Sequence, residues 1–263
     1  MQMIQECILT SLRRISHGYD NLLPSWLKNR VSPVLAIITN LMYFASKKIK
    51  KNDLILDAGA GNCQYKSYFT HAVYESCDIK QSAVTHTFLC DLEKIPRKDE
   101  TYDAIINTQV LEHVRHPQQV LQEFHRILKP NGKLFLSAPQ EGGMHEIPNH
   151  YHNFTKYGLQ SELEEAGFII KFIKPMGGAF LCLAGIFYQL PNYLMYQYAT
   201  KDDTKYAKPF EFAPKPLFIL ILPFYLLLKP FTELIIPFLC YYLDKLDFRN
   251  YITAGYVCYC VKK

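Results

Sequence analysis

The residues best suited to chemistry follow a short apolar run, Leu54-Ile55-Leu56, where an acid and two glycines stand together: Asp57, Gly59 and Gly61. The apolar run predicts a buried strand, and glycine adopts positive φ and lets the backbone approach a ligand closely. Residues 62–69 indicate the start of a helix, whose free N–H groups would face a ligand above the turn. Strand, glycine turn and helix together predict a nucleotide site of the doubly wound kind.

A second group of reactive side chains lies between residues 144 and 155. It holds three histidines, an acid and a tyrosine: His145, Glu146, His150, Tyr151 and His152. A histidine titrates near neutrality and can act as a general base, and in an extended loop His150 and His152 would face the same side. The alternatives are a zinc cluster, which the spacing and the lack of a nearby cysteine disfavour, and a polar loop that caps the next helix.

Alternating strand and helix patterns position both groups. Strands are predicted at residues 54–57, 72–78, 87–90, 102–108, 133–138, 168–173 and 256–261. Pro117 opens one helix, and Thr155 caps another that ends before Gly167. Strands separated by helices predict an α/β fold with a doubly wound, mostly parallel sheet and helices on both faces.

Six motifs in this order carry a family resemblance. They are Leu56-Asp57-Ala58-Gly59-Ala60-Gly61, Asp78, Cys90-Asp91-Leu92, Tyr102-Asp103-Ala104-Ile105-Ile106, Val110-Leu111-Glu112-His113-Val114 and Leu128-Lys129-Pro130-Asn131-Gly132-Lys133-Leu134. The chain resembles the class I S-adenosylmethionine-dependent methyltransferases over residues 50–174, in particular the branch with a Leu-Glu-His-Val segment after strand four. The last strand fits the family's antiparallel seventh.

The resemblance implies a methyltransferase with S-adenosyl-L-methionine as its cofactor. Asp57 would hold the amino group of the methionyl part, and Asp78 would accept the two ribose hydroxyls. Asp91 would accept the adenine amino group, with the backbone of Leu92 beside the ring. The alternative for each acid is an exposed turn or cap carboxylate.

The remaining predicted site residues follow from strand four and from the histidine loop. Asn107 and Thr108 would lie beneath the sulfonium at the end of strand four. His150 and His152 are the candidate catalytic bases; the candidate acceptor-binding residues are His145 and Tyr151.

Glu112 and His113 also invite a metal-site interpretation. Adjacent residues on a helix point about 100° apart, so we expect the two not to converge on one ion. We therefore predict no metal site and assign this segment to the wall of the methionyl pocket.

The composition of the chain indicates its cellular compartment and the kind of partner it binds. The chain has 263 residues, a net charge of +5 and eight cysteines, none in a Cys-x-x-Cys pair, which indicates buried free thiols in a reducing compartment. Residues 1–51 hold eight Lys or Arg against two acids, but no signal-peptide pattern. We expect a cytoplasmic protein that contacts an anionic membrane surface and no nucleic acid.

The segment between the last two strands departs from the family, in which these strands form a hairpin. Its apolar runs are interrupted by Lys229 and Glu233, which leaves no clean membrane span of about 20 residues. Prolines recur every seven residues at positions 209, 216, 223, 230 and 237, a spacing that keeps them on one helix face. We interpret the segment as a helical arm in a membrane interface; an apolar lid and a homodimer interface are the alternatives.

These observations predict four segments: an N-terminal helical region (1–51), the cofactor-binding α/β core (52–174), an apolar helical insertion (175–250) and the final strand (251–263). The predicted function is O-methylation of a membrane-linked or lipid-like acceptor, such as a lipid-linked sugar, a polar lipid or a quinone-like ring, at the inner face of the membrane. The alternatives are a soluble methyltransferase for a small molecule or nucleotide-sugar and a non-catalytic cofactor-binding membrane scaffold.

Overall fold

The structure, a computed structural model, describes residues 23–197 and 215–263. The described residues fall into two compact units. We call them the sheet unit (Val34–Met176 and Ile252–Lys263) and the helical unit (Gly177–Tyr251 and the residues before Val34). The four segment boundaries predicted from the sequence stay predictions.

The sheet unit is built on seven strands in the order β3-β2-β1-β4-β5-β7-β6. Their bounds are β1 Leu54–Ala58, β2 Val73–Asp78, β3 Phe88–Leu89, β4 Tyr102–Thr108, β5 Leu128–Pro139, β6 Phe168–Pro175 and β7 Gly255–Lys262. β7 runs antiparallel to β5 and β6, and all other neighbours pair in parallel. The predicted fold, a mostly parallel seven-stranded sheet with an antiparallel last strand and a helical segment before it, is confirmed.

Successive residues of a strand point to opposite faces of the sheet. Because both faces are apolar here, helices pack on each of them. Ile55 and Leu56 are adjacent and fully buried, yet they belong to two different apolar clusters. Helix α2 (Pro33–Lys48) packs in the cluster of Ile55, and helix α3 (Pro117–Ile127) packs in the cluster of Leu56. Helix α4 (Lys156–Glu165) joins the second cluster through Leu159 and Leu163.

The predicted helix boundaries follow from local chemistry. Pro117 occupies the first position of α3, where a missing N–H costs little. The Thr155 hydroxyl accepts a hydrogen bond of 3.1 Å from the Gly158 N–H and so caps α4. Gly167 follows α4 with φ of +92°, a conformation that favours glycine.

The helix predicted over residues 62–69 is wrong. The chain makes turns after Gly61 and only a four-residue 3₁₀ segment, Lys66–Phe69. Cys63 has φ of +52°, which interrupts an α-helix at its first turn. The Lys66 N–H bonds the Cys63 carbonyl at 3.1 Å, a spacing of three residues rather than four.

The helical unit contains most of the segment between β6 and β7. Its helices are α1 (Ser25–Val31), α5 (Ala179–Gln197), α6 (Lys215–Pro230) and α7 (Ile236–Leu243), with a π-helical segment, Phe231–Ile235, between the last two. Pro223 and Pro230 lie inside α6, and Pro237 lies at the start of α7. Pro209, the first of the regularly spaced prolines, lies outside the described residues.

The two charges expected to interrupt an apolar span pair with each other. Lys229 Nζ lies 3.6 Å from Glu233 Oε1 and donates to the Tyr225 hydroxyl at 3.1 Å. Lys229 is only 9% exposed. By length and composition, the 24 helical residues Pro223–Leu246 are apolar enough to cross a membrane. The expectation that no such span exists is therefore wrong.

Two aspartates fasten the start of α5 to the chain that follows α7. The Asp244 carboxylate accepts from the N–H groups of Gly178 (2.9 Å) and Leu181 (3.1 Å). Asp247 accepts from the N–H of Ala179 at 2.9 Å. Carboxylates at a helix N-terminus accept hydrogen bonds from N–H groups that have no partner within the helix, and their negative charge interacts favourably with the positive end of the helix dipole.

We predict that Asp244→Ala loosens the start of α5, because it removes the acceptor of two orphan N–H groups. Hydrogen exchange of the Gly178 and Leu181 amides should accelerate, with a loss of about 1–2 kcal/mol in local opening free energy. Lys245→Ala, at the neighbouring exposed position, is the matched control. Unchanged exchange in Asp244→Ala would show that the aspartate does not hold this helix.

Candidate functional site

Asp57 is a charged side chain inside the sheet. It is 2% exposed at the end of β1, and its Oδ2 accepts a 2.5 Å hydrogen bond from the Tyr74 hydroxyl. Burial raises the pKa of Asp57 from 3.8 to about 6; the Tyr74 bond opposes this shift, and the nearby Asp78 adds to it. The carboxylate is therefore ionised at neutral pH but poorly solvated, which favours a bound cationic group.

The glycine turn after Asp57 has the conformation expected from its sequence. Gly59 and Gly61 have φ of +75° and +52°. A Cβ on Gly59 would lie 2.6 Å from a methyl group of Val110, so this position has no room for a side chain. A Cβ on Gly61 would meet nothing within 4 Å, so space beside this backbone is open for a ligand.

Asp78 closes the turn from the neighbouring strand. Its Oδ2 accepts from the Gly61 N–H at 2.9 Å, and its Oδ1 accepts from the Ile79 N–H at 2.8 Å. Each carboxylate oxygen has two acceptor sites, so both oxygens keep one for a further donor. A pair of vicinal hydroxyls fits this capacity.

The end of β4 places one unsatisfied acceptor in the same region. Asn107 is fully buried, and its Nδ2 donates to the Ala58 carbonyl at 2.8 Å. Its Oδ1 is buried without a hydrogen-bond partner among the described residues. Thr108, the next residue, ends β4 and is half-buried. Asn107 thus ties β4 to the residue that precedes the glycine turn.

Asp91 and Leu92 follow β3, and their side chains lie in different environments. Asp91 is exposed, and its Oδ1 accepts from the Glu93 N–H at 3.0 Å. Leu92 is 6% exposed and packs in the apolar core. The Cys90 N–H donates to the Asp78 carbonyl at 3.0 Å, which brings the start of this segment beside Asp78.

Glu112 and His113 do converge, contrary to the helix-based expectation. They lie in a 3₁₀ turn, Leu111–His113, and Glu112 Oε1 is 3.9 Å from His113 Nε2. Glu112 is fully buried, which raises the pKa of its carboxyl to about 7, with a further increase from Glu146. His145 joins them: its ring centroid is 4.8 Å from that of His113.

His150 and His152 do not face the same space. The His150 ring packs 4.5 Å from that of His145, whereas His152 lines an open groove of about 640 Å³ beside α3 and α4. His150 Nδ1 accepts from the His145 N–H at 3.3 Å, so Nε2 carries the proton shared with Asn153 Oδ1. His152 Nε2 donates to the Arg115 carbonyl at 3.2 Å. Their role as general bases stays a prediction.

Tyr151 is placed between these histidines by the backbone of Glu112. The Tyr151 N–H donates to the Glu112 carbonyl at 2.8 Å, and Arg115 Nε donates to the Tyr151 hydroxyl at 3.3 Å. The side chain is 37% exposed, so the ring stays accessible at the loop surface.

The sequence interpretation missed several polar residues at the turn. Tyr74 is the partner of Asp57, and Ser82 Oγ donates to the Gly61 carbonyl at 2.7 Å and lies 3.2 Å from His86 Nε2. Alternation along β2 puts Tyr74 on the same strand face as Asp78, which was a usable signal. Ser82 and His86 lie in a loop without periodicity and gave none.

The comparisons with known proteins agree with this geometry. Residues 56–136 match the family described as "Methyltransferase domain". The chain is 24% identical over 115 residues to a malonyl-[acyl-carrier protein] O-methyltransferase of Marinomonas sp. (strain MWYL1), which covers 38% of this chain and 43% of that protein. It is 38% identical over 58 residues to the ubiquinone/menaquinone biosynthesis C-methyltransferase UbiE of Paraburkholderia phymatum, covering 22% and 24%. The chain thus spans less than half the length of these relatives.

A solved structure shares the fold. The [4+2]-cyclase SpnF superposes with a TM-score of 0.51 and 16% identity, covering 85% of this chain and 80% of that one. At this identity the similarity concerns the fold alone.

The residues at the carboxyl edge fit a cofactor that carries a cationic amino group and two vicinal hydroxyls. Asp57 offers a buried carboxylate for the cation, Asp78 has acceptor capacity for the hydroxyls, and the backbone beside Gly61 is open. Residues 56–136 thus match a methyltransferase domain, and the sheet order and motifs are similar to those of class I S-adenosylmethionine-dependent methyltransferases, whose cofactor has these groups.

Proposed function

We propose that this protein transfers a methyl group from S-adenosyl-L-methionine to an oxygen of a membrane-linked or lipid-like acceptor. The carboxyl edge of the sheet is the observation that carries the proposal, because a buried acid, an open glycine turn and a second acid stand there in the order that the cofactor needs. When bound, the cofactor supplies a methyl group on a positively charged sulfur.

In this proposal each edge residue binds one part of the cofactor. Asp57 holds the methionyl ammonium through a charge-assisted hydrogen bond, and Tyr74 fixes the carboxylate that receives it. Gly59 and Gly61 bring the backbone close to the nucleoside, and Asp78 accepts the ribose hydroxyls. Asp91 and Leu92 take the adenine end, and Asn107 and Thr108 support the methionyl end.

Methyl transfer itself needs alignment and exclusion of water more than it needs covalent help from the protein. The acceptor hydroxyl would give its proton to a general base, for which His150 and His152 are the candidates. Its oxygen would take the methyl group while the electron pair of the carbon–sulfur bond stayed on sulfur. The segment with Tyr151 and the histidines follows β5, where parallel sheets place their substrate loops, so we assign the acceptor to this loop. His145 and Tyr151 are its proposed contacts.

The relatives support this class of acceptor without fixing it. One is named an O-methyltransferase of a carrier-bound acyl group and the other a C-methyltransferase of quinone biosynthesis. SpnF, on the same fold, is a [4+2]-cyclase, so the fold alone does not decide the chemistry. The experiments below therefore distinguish this proposal from two alternatives, a soluble small-molecule methyltransferase and a non-catalytic scaffold.

The membrane part of the proposal rests on an apolar stripe in the helical unit. Between residues 224 and 246, large apolar side chains recur every three or four positions, and each is at least 42% exposed: Phe224, Leu228, Phe231, Ile235, Leu239, Tyr242 and Leu246. This spacing marks one helix face, and two of the charges within this range, Lys229 and Glu233, pair with each other. Exposed apolar residues on soluble proteins are normally scattered singly, whereas this stripe forms a contiguous exposed apolar surface.

Basic residues elsewhere add attraction to acidic lipids. Lys47, Lys48, Lys50 and Lys51 are all exposed at the end of α2 and just beyond it. Each lysine near an anionic surface contributes about 1 kcal/mol. Arg13 and Arg14, which belong to the same predicted basic region, lie outside the described residues. We propose that the protein is peripheral at the cytoplasmic face of a membrane.

We predict that Asp57→Asn stabilises the fold and weakens cofactor binding. The raised pKa means that the folded state gains stability when Asp57 is protonated and loses it as pH rises from 3.8 to about 6. Asn removes that cost, so the free energy of unfolding at pH 7 should rise by about 1–3 kcal/mol. Cofactor affinity should fall about 10- to 100-fold with the charge-assisted bond.

Calorimetry and thermal denaturation measure both effects. Wild-type affinity should also decline as pH falls through about 6, whereas the variant's should not change. Asp103→Asn is the control: Asp103 pairs with Lys129 at 2.8 Å and accepts from the Leu54 N–H at the other end of β1, so its loss should spare the cofactor. If Asp57→Asn binds the cofactor like wild type, Asp57 lies outside the site.

Turnover distinguishes an enzyme from a scaffold. Incubation with methyl-labelled S-adenosylmethionine and a total lipid extract should label a lipid-phase product, and mass spectrometry should locate the methyl group on oxygen. Label in water-soluble metabolites alone would support the soluble methyltransferase. Tight cofactor binding with no labelled product from either extract would support the scaffold.

Vesicle flotation tests the membrane surface. The protein should float with anionic vesicles, less at high salt, and replacing Leu226, Leu227 and Leu228 with Ser should release most of it with cofactor binding unchanged. The matched control replaces three exposed apolar residues of the sheet unit, Leu35, Val73 and Ile169, with Ser. A wild-type protein that stays unbound and runs as a dimer that the Leu variant breaks would overturn the membrane assignment.

A further inference from the structure

Three potential metal ligands meet at the start of the Leu-Glu-His-Val turn. A carboxylate oxygen of Glu112 and one ring nitrogen each from His113 and His145 lie within 4.8 Å of one another. Glu112 and His113 come from the turn after β4, and His145 comes from the loop after β5. The parallel sheet brings these two loops to the same edge.

Both histidines hold the tautomer that a metal ligand needs. His113 Nδ1 lies 2.7 Å from the Asn149 carbonyl, and His145 Nδ1 lies 3.1 Å from the Gly143 carbonyl. A carbonyl can only accept, so each Nδ1 carries the proton and each Nε2 keeps its lone pair. Metal-binding histidines donate their second N–H in this way, which fixes the ring and strengthens the ligand.

Glu112 supplies an independent sign that a ligand is needed. Its side chain is fully buried, and neither carboxylate oxygen has a hydrogen-bond partner among the described residues. His113 Nε2 lies 3.9 Å from Glu112 Oε1, too far for a hydrogen bond, and the nearby Glu146 is also acidic. A buried carboxylate without a partner is costly, and a bound cation would offset that cost.

We propose that Glu112, His113 and His145 bind one divalent transition-metal ion and leave a coordination position open to the acceptor. Two imidazoles and one carboxylate suit Zn²⁺ and its neighbours, whereas Mg²⁺ and Ca²⁺ prefer oxygen ligands alone. Tetrahedral zinc with bonds of about 2.1 Å places its ligands about 3.4 Å apart, so the most distant of the three atoms, up to 4.8 Å apart, need to approach by about 1.4 Å. His145 lies in an exposed loop and can make this movement.

His150 is a positioning residue in this arrangement. Both of its ring nitrogens are engaged, one by the His145 backbone N–H and the other by Asn153, so it is not a ligand. Its ring packs edge-on against His145 at 4.5 Å and against His113 at 5.6 Å, which holds both imidazoles in place.

The site stands close to the cofactor turn. The His113 N–H donates to the Val110 carbonyl at 2.9 Å, and the methyl groups of Val110 fill the space beside Gly59. A metal ion there would bind the acceptor oxygen and lower its pKa, so that the hydroxyl could be deprotonated near neutral pH. This role rests on the proposed methyl transfer, whereas the metal site itself does not.

Titration of the metal-free, tag-free full chain with Co²⁺, without cofactor, tests the site. We expect visible d–d absorption that saturates at one equivalent and is abolished by Zn²⁺ but not by Mg²⁺. Glu112→Gln, His113→Ala and His145→Ala should each weaken Co²⁺ binding at least tenfold, since even outer partners of a metal site cost 10- to 100-fold. His150→Ala should weaken it less, and His116→Ala, at an exposed position, should not change it.

The outcomes separate this proposal from the proposed function. Absence of saturable Co²⁺ binding, or wild-type affinity in His145→Ala, which removes an exposed side chain and spares the core, overturns the metal site. Equal turnover of metal-free and zinc-loaded protein overturns the metal's role toward the acceptor, but leaves methyl transfer standing. Stoichiometric metal binding with no methylated product from any extract leaves the site standing and overturns the proposed function.

Discussion

The burial of the Asp57 carboxylate at the end of β1 is the constraint on which the site depends. Parallel strands hydrogen-bonded on both sides leave little water there, so the charge is held by the Tyr74 hydroxyl rather than by solvent. This arrangement costs the fold stability and keeps a strong acceptor available for a cation. The glycine turn follows directly because a side chain at Gly59 would collide with Val110.

The same edge holds two further polar side chains whose hydrogen bonding is incomplete. Asn107 Oδ1 and both oxygens of Glu112 are buried without hydrogen-bond partners among the described residues. Asn107 lies near the end of β4, and Glu112 lies in the turn that follows it. Elsewhere in the sheet unit the buried residues are mostly apolar. Incomplete hydrogen bonding concentrated at one strand end indicates where ligands bind. We propose two ligands at this edge, a cofactor beside β1 and a metal ion after β4.

Strand positions and helix starts could be predicted from the sequence because they depend on local chemistry. The apolar run Ala104-Ile105-Ile106 located β4, and Pro117 and Thr155 marked the starts of α3 and α4. The expected helix after Gly61 failed because a left-handed residue, Cys63, breaks it, and single-residue backbone conformations leave little trace in composition.

Pairings between side chains were harder to predict. Lys229 and Glu233 interrupt an apolar run when charges are counted, but they lie four positions apart and neutralise each other on the folded helix. Glu112 and His113 point apart on an ideal α-helix, whereas the 3₁₀ turn and the loop that carries His145 bring their ligand atoms together. Both outcomes depend on which regular structure the backbone adopts, and sequence spacing alone does not fix it.

The central claim is that the carboxyl edge of this sheet binds S-adenosylmethionine through Asp57, the glycine turn and Asp78. A crystal structure of the protein with S-adenosylhomocysteine tests it most directly. We predict that the amino group lies within hydrogen-bonding distance of Asp57, that the nucleoside lies against Gly59–Gly61, and that both ribose hydroxyls contact Asp78. A nucleoside bound elsewhere, or no bound ligand at saturating concentration in a crystal with this edge open to solvent, would contradict the claim.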